Sequence, residues 1–286
     1  MSNLDAVERT AFLTAALRAA ETSSPDRLYQ DPFAEMLAGD IGPGLLAEIR
    51  EVTFPEGRPR SVPSTPDYNA IRTRFFDEWL LTAAGSLMPV QIVIAPAGLD
   101  SRAFRLPWPA DATVFEVDKP AVLAAKEELL GAAVPRVERR TVAVDMVTAG
   151  WTDALIAAGY DPRRPSVWLL EGLLYYIPES AVHRILGAVA AATAPGSLIA
   201  ADLINADTLE LPNMRDLLDV FAGWGCPWVF GSNTPEELFA RHDITAEAVQ
   251  PGDPGADFGR WPDPVPPRER TGVRRVFFVH GRRDAV

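Results

Sequence analysis

The chain has 286 residues, 48% of them hydrophobic and 23% charged, a composition that suits one globular domain with or without a cap. Its 27 Lys and Arg against 39 Asp and Glu leave a formal net charge of −12, which argues against a protein that follows nucleic-acid phosphates. Cys226 is the only cysteine, which excludes an intrachain disulfide, and the lack of a signal-peptide pattern or a long apolar run predicts a cytoplasmic protein without a membrane segment.

Residues 1–85 are predicted to form a helical cap, or lid, packed against the main sheet. An amphipathic helix is expected over residues 5–20, and a second begins near Asp31, which can cap it. A third is expected over residues 68–84. Residues 51–67 are rich in proline and show no periodicity, so we expect a long loop there that could belong to the lid.

Residues 86–286 alternate short apolar runs with helical patterns. Strands are expected at 91–94, 113–117, 140–144, 166–170 and 198–204, and helices at 120–131, 151–159, 180–194 and 235–241. Such alternation is typical of a parallel sheet covered by helices on both faces, and two final runs, 244–249 and 273–279, could close the sheet as a hairpin. The predicted fold is therefore α/β, with a doubly wound, seven-stranded, mostly parallel sheet and an insertion at about 205–235.

The turn after the first strand is a candidate nucleotide site. Gly98 lets the backbone approach a ligand closely, and Asp118 ends the next strand about twenty residues later, where a carboxylate can hold both hydroxyls of a ribose. A three-glycine dinucleotide fingerprint is absent, and with it the usual pyrophosphate cradle. A nucleoside without phosphates, such as S-adenosylmethionine, therefore fits this turn better than a dinucleotide does.

Acidic residues follow three of the predicted strands. Asp118, Asp145 and Glu171 stand at successive carboxyl ends, where the strands of an open α/β sheet place their ligand, so we expect them to share one crevice. The alternative is that strand ends are loops, and loops carry polar residues for solubility alone.

Several motifs carry a family resemblance. They are PAGLDSRAFRL followed by FEVDKPAVLAAK, with RAAETSSPDRLYQDPFAEML, IRTRFFDEWL and LLEGLLYYIPESAV elsewhere in the chain. Together they resemble the S-adenosylmethionine-dependent methyltransferases of the leucine carboxyl methyltransferase type, and most of all the bacterial branch that includes polyketide carboxyl O-methyltransferases. The resemblance implies a class I, Rossmann-like methyltransferase fold and S-adenosylmethionine as the cofactor.

The resemblance also implies roles for single residues. Asp118 matches the acid that grips the ribose hydroxyls, Asp145 and Met146 match the pair at the adenine, and Glu171 matches the acid near the methionine end of the cofactor. Arg72 matches the arginine that pairs with the cofactor's carboxylate, and a fork-shaped donor suits that partner.

Two further residues, Arg74 and Pro96, bear on the resemblance to the family. Arg74 is close to Arg72 in the chain, but Arg72 lies nearer the apolar stripe of its helix and is therefore the favoured cofactor ligand. Pro96 stands where many family members have a glycine, which removes one backbone donor from the turn that contains Gly98.

The catalytic residues are not fixed by the sequence, and the positioning candidates are Tyr175 and Glu171. A carboxylate acceptor is already ionised at neutral pH and needs no general base, whereas a hydroxyl acceptor does. The chain has only three histidines, which favours a carboxylate. Four aromatic residues of the insertion either line the acceptor pocket or only pack against the rest of the protein: Phe221, Trp224, Trp228 and Phe230.

The resulting hypothesis is an S-adenosylmethionine-dependent O-methyltransferase of a small secondary metabolite such as a polyketide. A protein C-terminal carboxyl methyltransferase is an alternative, since the resemblance covers both substrate kinds. A catalytically silent binding subunit with the same fold and a nicotinamide-dependent oxidoreductase are the rivals from other classes. No nucleic-acid, membrane or metal partner is expected, and the oligomeric state is open.

Overall fold

The computed structural model describes residues 6–53, 65–87, 90–261 and 264–285. Its N-terminal part contains four helices: α1 (Ala6–Thr22), α2 (Ala34–Ala38), α3 (Gly42–Thr53) and α4 (Thr65–Ser86). The remainder alternates strands and helices: β1 (Gln91–Ile94), α5 (Arg102–Arg105), β2 (Thr113–Asp118), α6 (Pro120–Leu130), β3 (Glu138–Ala143), α7 (Trp151–Ala157), β4 (Ser166–Leu170), α8 (Glu179–Ala192), β5 (Leu198–Ile204), α9 (Arg215–Gly223), α10 (Pro235–Ala240), β6 (Ile244–Val249) and β7 (Val276–Arg283).

The seven strands form one sheet in the order β3-β2-β1-β4-β5-β7-β6. The first five in the chain pair in parallel, and β7 runs antiparallel to both β5 and β6. The predicted seven-stranded, mostly parallel, doubly wound sheet is therefore confirmed. Because the chain moves outward from β1 in one direction and from β4 in the other, the strand order reverses between these two strands, and an open sheet of this kind binds its ligand at that point.

The two faces of the sheet bury separate apolar clusters, because successive side chains of a strand point to opposite sides. Ile92 and Ile94 of β1 belong to a cluster that also contains Leu13 of α1 and Phe76 of α4. Val93 belongs to the opposite cluster, which includes side chains of α7, α8 and α10. The N-terminal helices thus cover one face of the sheet, and the position of α4 brings its side chains to the carboxyl end of β4.

The N-terminal part differs from the prediction in two places. Helix α3 was not expected, because its sequence opens with Gly42, Pro43 and Gly44, residues that normally mark a turn. Of the predicted loop 51–67, residues 51–53 belong to α3, residues 65–67 belong to α4, which begins at Thr65, and residues 54–64 lie outside the described ranges. A hydrogen bond from Trp224 Nε1 to Glu48 Oε2, 2.9 Å, joins α3 to the insertion after β5. No helix among the described residues is long and apolar enough to cross a membrane.

Candidate active site

A cavity opens beyond the carboxyl ends of β1, β2 and β4, at the reversal of strand order. Its walls come from the turn after β1, from the ends of β2 and β4, and from α1 and α4. Its volume is about 810 Å³, including the part open to solvent. Among the predicted site residues, five line this cavity: Arg72, Gly98, Asp118, Glu171 and Tyr175.

Gly98 and Asp118 hold each other in place across the cavity floor. Gly98 adopts a φ of +48°, a conformation that favours glycine, and its N–H donates to Asp118 Oδ2 at 2.6 Å. The N–H of Lys119 donates to the other oxygen, Oδ1, at 2.7 Å. Burial raises the pKa of Asp118, while the two backbone donors act in the opposite direction. Each carboxylate oxygen has two lone pairs, so each can still accept a hydroxyl of a ribose diol.

Arg72 is buried and lies between two acids. Its Nε is 2.9 Å from Glu171 Oε1, and its Nη1 donates to Asp202 Oδ2 at 2.8 Å. No described residue accepts a hydrogen bond from Nη2, although Arg72 lines the cavity. The guanidinium therefore has a free edge for a ligand carboxylate. Arg74, by contrast, is partly exposed and pairs with Glu78 on its own helix.

Asp202 was not predicted as a site residue, yet it organises this end of the cavity. It is fully buried in β5, where Oδ1 accepts from the Gly172 N–H at 2.6 Å and Oδ2 accepts from Arg72, Tyr68 and Tyr175. The signal in the sequence is a lone acid inside the apolar run LIAADLI, because an acid is rarely buried unless it is paired.

Arg102 is a second residue that the sequence did not single out. Its Nη1 donates to Glu171 Oε2 at 2.7 Å, and its Nε donates to Asp77 Oδ1 at 2.7 Å. Glu171 thus lies between Arg102 and Arg72. Burial on its own would raise the pKa of Asp100, but Arg102 and other nearby cations lower it to about 2.

Asp145 and Met146 lie one strand further out. Asp145 follows β3, is half-buried and accepts from the Val147 N–H at 2.9 Å, while Met146 is buried in the apolar cluster that contains Trp151. Neither residue lines the cavity that Asp118 and Glu171 share. The structure therefore brings two of the three strand-end acids together, and the adenine role of Asp145 and Met146 stays a prediction.

A second cavity of about 590 Å³ adjoins the first, and we name it the aromatic chamber. The two cavities share six lining residues: Thr10, Thr14, Asn69, Arg72, Tyr175 and Tyr176. Phe221 and Trp228 of the insertion line the chamber, and their contact with an acceptor stays a prediction. Trp224 and Phe230 do not, since both are buried in the apolar clusters on either side of the sheet.

None of the described residues that line the chamber is an ordinary general base. Among the described residues that line it there is no Asp, Glu, His, Lys or Cys. Burial, with Asp202 as the next cause, raises the pKa of Tyr175 well above its usual range, and burial likewise raises that of Tyr176. Both phenols therefore stay protonated and can act only as hydrogen-bonding groups near neutral pH.

The histidines lie elsewhere. His183 and His242 contact each other, with 2.9 Å between Nδ1 and Nε2, and His280 packs against Phe75 and Trp79. Burial raises the pKa of Cys226 to about 11, so its thiol is not an activated nucleophile. Within the described ranges, no three His, Cys, Asp or Glu side chains are grouped to hold a metal ion.

The donor set of the first cavity fits S-adenosylmethionine. A nucleoside amino acid needs an acceptor for its ribose diol and a donor for its carboxylate, and Asp118 and the free edge of Arg72 offer these. It needs no pyrophosphate cradle. The turn after β1 has none to offer, because Pro96 lacks an N–H and the N–H of Gly98 is already bound to Asp118.

Comparison with known proteins points to the same chemistry. The leucine carboxyl methyltransferase family model matches residues 11–190. A protein of Mycobacterium avium (strain 104), named as an S-adenosyl-L-methionine-dependent methyltransferase, is 35% identical over 279 residues, which cover 87% of this chain and 91% of that protein. A protein of Mycobacterium marinum (strain ATCC BAA-535 / M) with the same name is 40% identical over 227 residues, covering 75% and 69% of the two chains.

Solved structures agree at the level of the fold. A methyltransferase from Thermobifida fusca has a TM-score of 0.61 at 21% identity, with 92% of this chain and 95% of that chain covered. A DUF574 family protein from Streptomyces avermitilis has a TM-score of 0.57 at 14% identity, with 94% and 96% covered. By its sequence and its fold, the chain belongs to the leucine carboxyl methyltransferase family of S-adenosylmethionine-dependent methyltransferases.

Proposed function

We propose that this chain transfers a methyl group to an oxygen of a small, largely apolar metabolite, and that this oxygen belongs to a carboxylate. The observation that carries the proposal is the aromatic chamber beside the cofactor cavity, in which no described lining residue can remove a proton at neutral pH. A phenol or alcohol would need such a base, whereas a carboxylate is already ionised. A polyketide acid is an example of a suitable acceptor.

The proposed cofactor ligands are Arg72, Gly98, Asp118, Asp145, Met146 and Glu171. When bound, S-adenosylmethionine supplies a methyl group on a positively charged sulfur, which an acceptor oxygen displaces in line. Asp118 accepts the ribose hydroxyls, and the Nη2 edge of Arg72 donates to the amino-acid carboxylate. Tyr175, hydrogen-bonded to Asp202, presents its ring to both cavities and orients the acceptor. The apolar part of the chamber lining, which includes Leu13, Leu17, Leu217 and Phe221, limits the access of water, and this strengthens these contacts.

Calorimetric titration of S-adenosylhomocysteine tests the cofactor site. We expect Asp118→Ala to weaken binding about 100-fold, because two hydrogen bonds to a charged acceptor are lost. Asp111→Ala is the matched control, since Asp111 is exposed in the turn before β2 and should bind as the wild type does. Equal affinities for the two variants would remove Asp118 from the site, and no binding to well-folded wild type would refute the proposal as a whole.

The acceptor class is tested with tritiated S-adenosylmethionine and a mixture of small bacterial metabolites. A methyl ester releases volatile methanol in alkali, whereas a methyl ether does not, so alkali-labile label in the small-molecule fraction is expected. Label that resists alkali would indicate a hydroxyl acceptor, and label in the protein fraction would indicate a protein carboxyl methyltransferase. Cofactor binding without any transfer would indicate a binding subunit.

A further inference from the structure

Arg274, two residues before β7, has a guanidinium group to which none of the described residues is paired. It lines the aromatic chamber and is only partly exposed, yet no described residue lies within ion-pair or hydrogen-bonding distance of it. Its neighbour Arg275 is the opposite case. That side chain donates to Gln250 Oε1 and to the carbonyl oxygens of Pro266, Pro267 and Arg270. Among the described residues, both terminal nitrogens of Arg275 thus have acceptors, whereas the guanidinium of its neighbour Arg274 has none and can take one from a ligand.

The surroundings of Arg274 make this lack of a partner costly. Burial lowers the pKa of its guanidinium to about 10, with Tyr68 acting in the opposite direction, so the group is still a cation at neutral pH. A cation taken out of water without a counter-ion destabilises a fold. Arg72, the other described cation that lines the chamber, contacts both Glu171 and Asp202. An anionic group of a ligand would give Arg274 the partner that the described part of the chain does not provide.

The position of Arg274 indicates which part of a ligand it meets. It is not among the residues that the chamber shares with the cofactor cavity, whereas Arg72, Tyr175 and Tyr176 are. An acceptor oxygen has to approach those shared residues in order to reach the methyl group. A group held by Arg274 is therefore an anchor away from the reacting oxygen.

We propose that Arg274 binds an unreacting carboxylate of the acceptor, so that the chamber selects a molecule with an aromatic or apolar body and an acidic end. Leu217, Phe221 and Trp228 contact the body, and Arg274 neutralises the acid. This inference rests on the proposed function, because it takes the chamber to be the acceptor site. Carboxylate is the expected anion because the planar fork of a guanidinium pairs with it through two parallel hydrogen bonds.

The test is calorimetric titration of 2-naphthoate and its neutral analogue 2-naphthamide into protein saturated with S-adenosylhomocysteine. The wild type should bind the acid more tightly than the amide. Arg274→Gln should weaken binding of the acid by about tenfold or more and leave that of the amide unchanged, since only the acid loses a charged partner. Arg274→Lys should retain part of the preference. The control Arg163→Gln changes an arginine with an 88% exposed side chain and should behave as the wild type.

The outcomes separate this inference from the proposed function. Failure of the wild type to prefer the acid over the amide overturns the role of Arg274, and this comparison needs no variant. An Arg274→Gln protein that keeps the preference overturns it too. In both cases intact binding of S-adenosylhomocysteine would leave the cofactor assignment standing, whereas loss of that binding in the wild type would refute the proposed function itself.

Discussion

Gly98 and Asp118 form the smallest structural unit of the proposed cofactor site. The positive φ of Gly98 directs its N–H to the carboxylate of Asp118, so the turn after β1 and the end of β2 fix each other's geometry. The carboxylate then reaches the cavity in one orientation. Pre-orientation of this kind lowers the entropy that a ligand loses on binding, because the receptor group is already immobile.

Gly98→Ala should damage this unit through the backbone alone. A Cβ at this position would lie 3.6 Å from the Cβ of Ala11, an ordinary contact, so sterics add little to the cost of the positive φ. We expect the free energy of unfolding to fall by about 1 kcal/mol and the affinity for S-adenosylhomocysteine to fall several-fold. Urea unfolding and calorimetry measure the two effects.

Gly44→Ala is the matched control for this experiment. Gly44 lies in α3 without a positive φ, and a Cβ there would meet nothing within 4 Å. The same substitution should therefore raise stability by about 0.5–1 kcal/mol and leave the affinity unchanged. If both variants bound the ligand equally well, the geometry of Gly98 would have no part in recognition.

At the scale of elements, β5 holds the cavity together through Asp202. This one carboxylate binds Arg72 and Tyr68 of α4, the backbone of Gly172 after β4, and Tyr175 in the turn that follows. A helix of the N-terminal part is thereby fixed against two central strands at the reversal of strand order. The orientation of Arg72, and hence its free Nη2 edge, depends on a residue that does not line the cavity.

Asp202→Asn should therefore weaken both the fold and the site. The amide has one acceptor oxygen in place of two, so either Arg72 or the Gly172 N–H loses its partner inside the protein. We expect the free energy of unfolding to fall by about 3 kcal/mol and the affinity for S-adenosylhomocysteine to fall about tenfold. Glu78→Gln breaks the exposed pair with Arg74 and should cost no more than about 0.5 kcal/mol. A stable Asp202→Asn protein with wild-type affinity would contradict this role.

The parts of the molecule that the sequence predicts are those set by local pattern. Strand ends, the turn at Gly98 and the alternation of strands and helices depend on neighbours in the chain, and they indicated where Asp118 and Glu171 would lie. Asp202 was not predicted as a site residue because its partner Arg72 is 130 residues away in the chain, and only the packing of α4 on the sheet brings the two together. The position of Asp145 outside the cavity could not be predicted either, because it depends on β3 being the outermost strand on its side of the sheet.

Seen as a whole, the molecule is crossed by a continuous series of buried ion pairs. It runs from Arg18 and Asp31 in the N-terminal part through Arg105, Asp77 and Arg102 to Glu171, Arg72 and Asp202. Breaking one member of such a series leaves an unpaired buried charge, which costs more than the loss of a surface pair. The proposed cofactor cavity is thus lined by charges that also link the N-terminal helices to the sheet.

Acid should also weaken the fold at Asp100, where Arg102 and other nearby cations hold the pKa of the carboxyl group low. The pKa of Asp100 is about 2 in the folded protein, below its ordinary value of 3.8. A group of this kind stabilises the fold above pH 3.8, and the contribution is lost as the pH falls through the folded pKa. For Asp100 the loss therefore falls between about pH 4 and pH 2, and it amounts to about 2 kcal/mol.

Asp100→Asn should remove this part of the acid sensitivity. The variant is expected to be less stable than the wild type by about 2 kcal/mol at pH 7. The difference should shrink as the pH falls below 4 and approach zero only below pH 2, because half of the wild-type carboxyl groups are still ionised at the folded pKa of about 2. Urea unfolding of both proteins at pH 7, 4, 3 and 2 measures this difference in the free energy of unfolding. Asp111→Asn, which changes an exposed acid, should follow the wild type at each pH. A constant difference between Asp100→Asn and the wild type would mean that Asp100 stabilises the turn through its hydrogen bond to the Arg102 N–H and not through its charge.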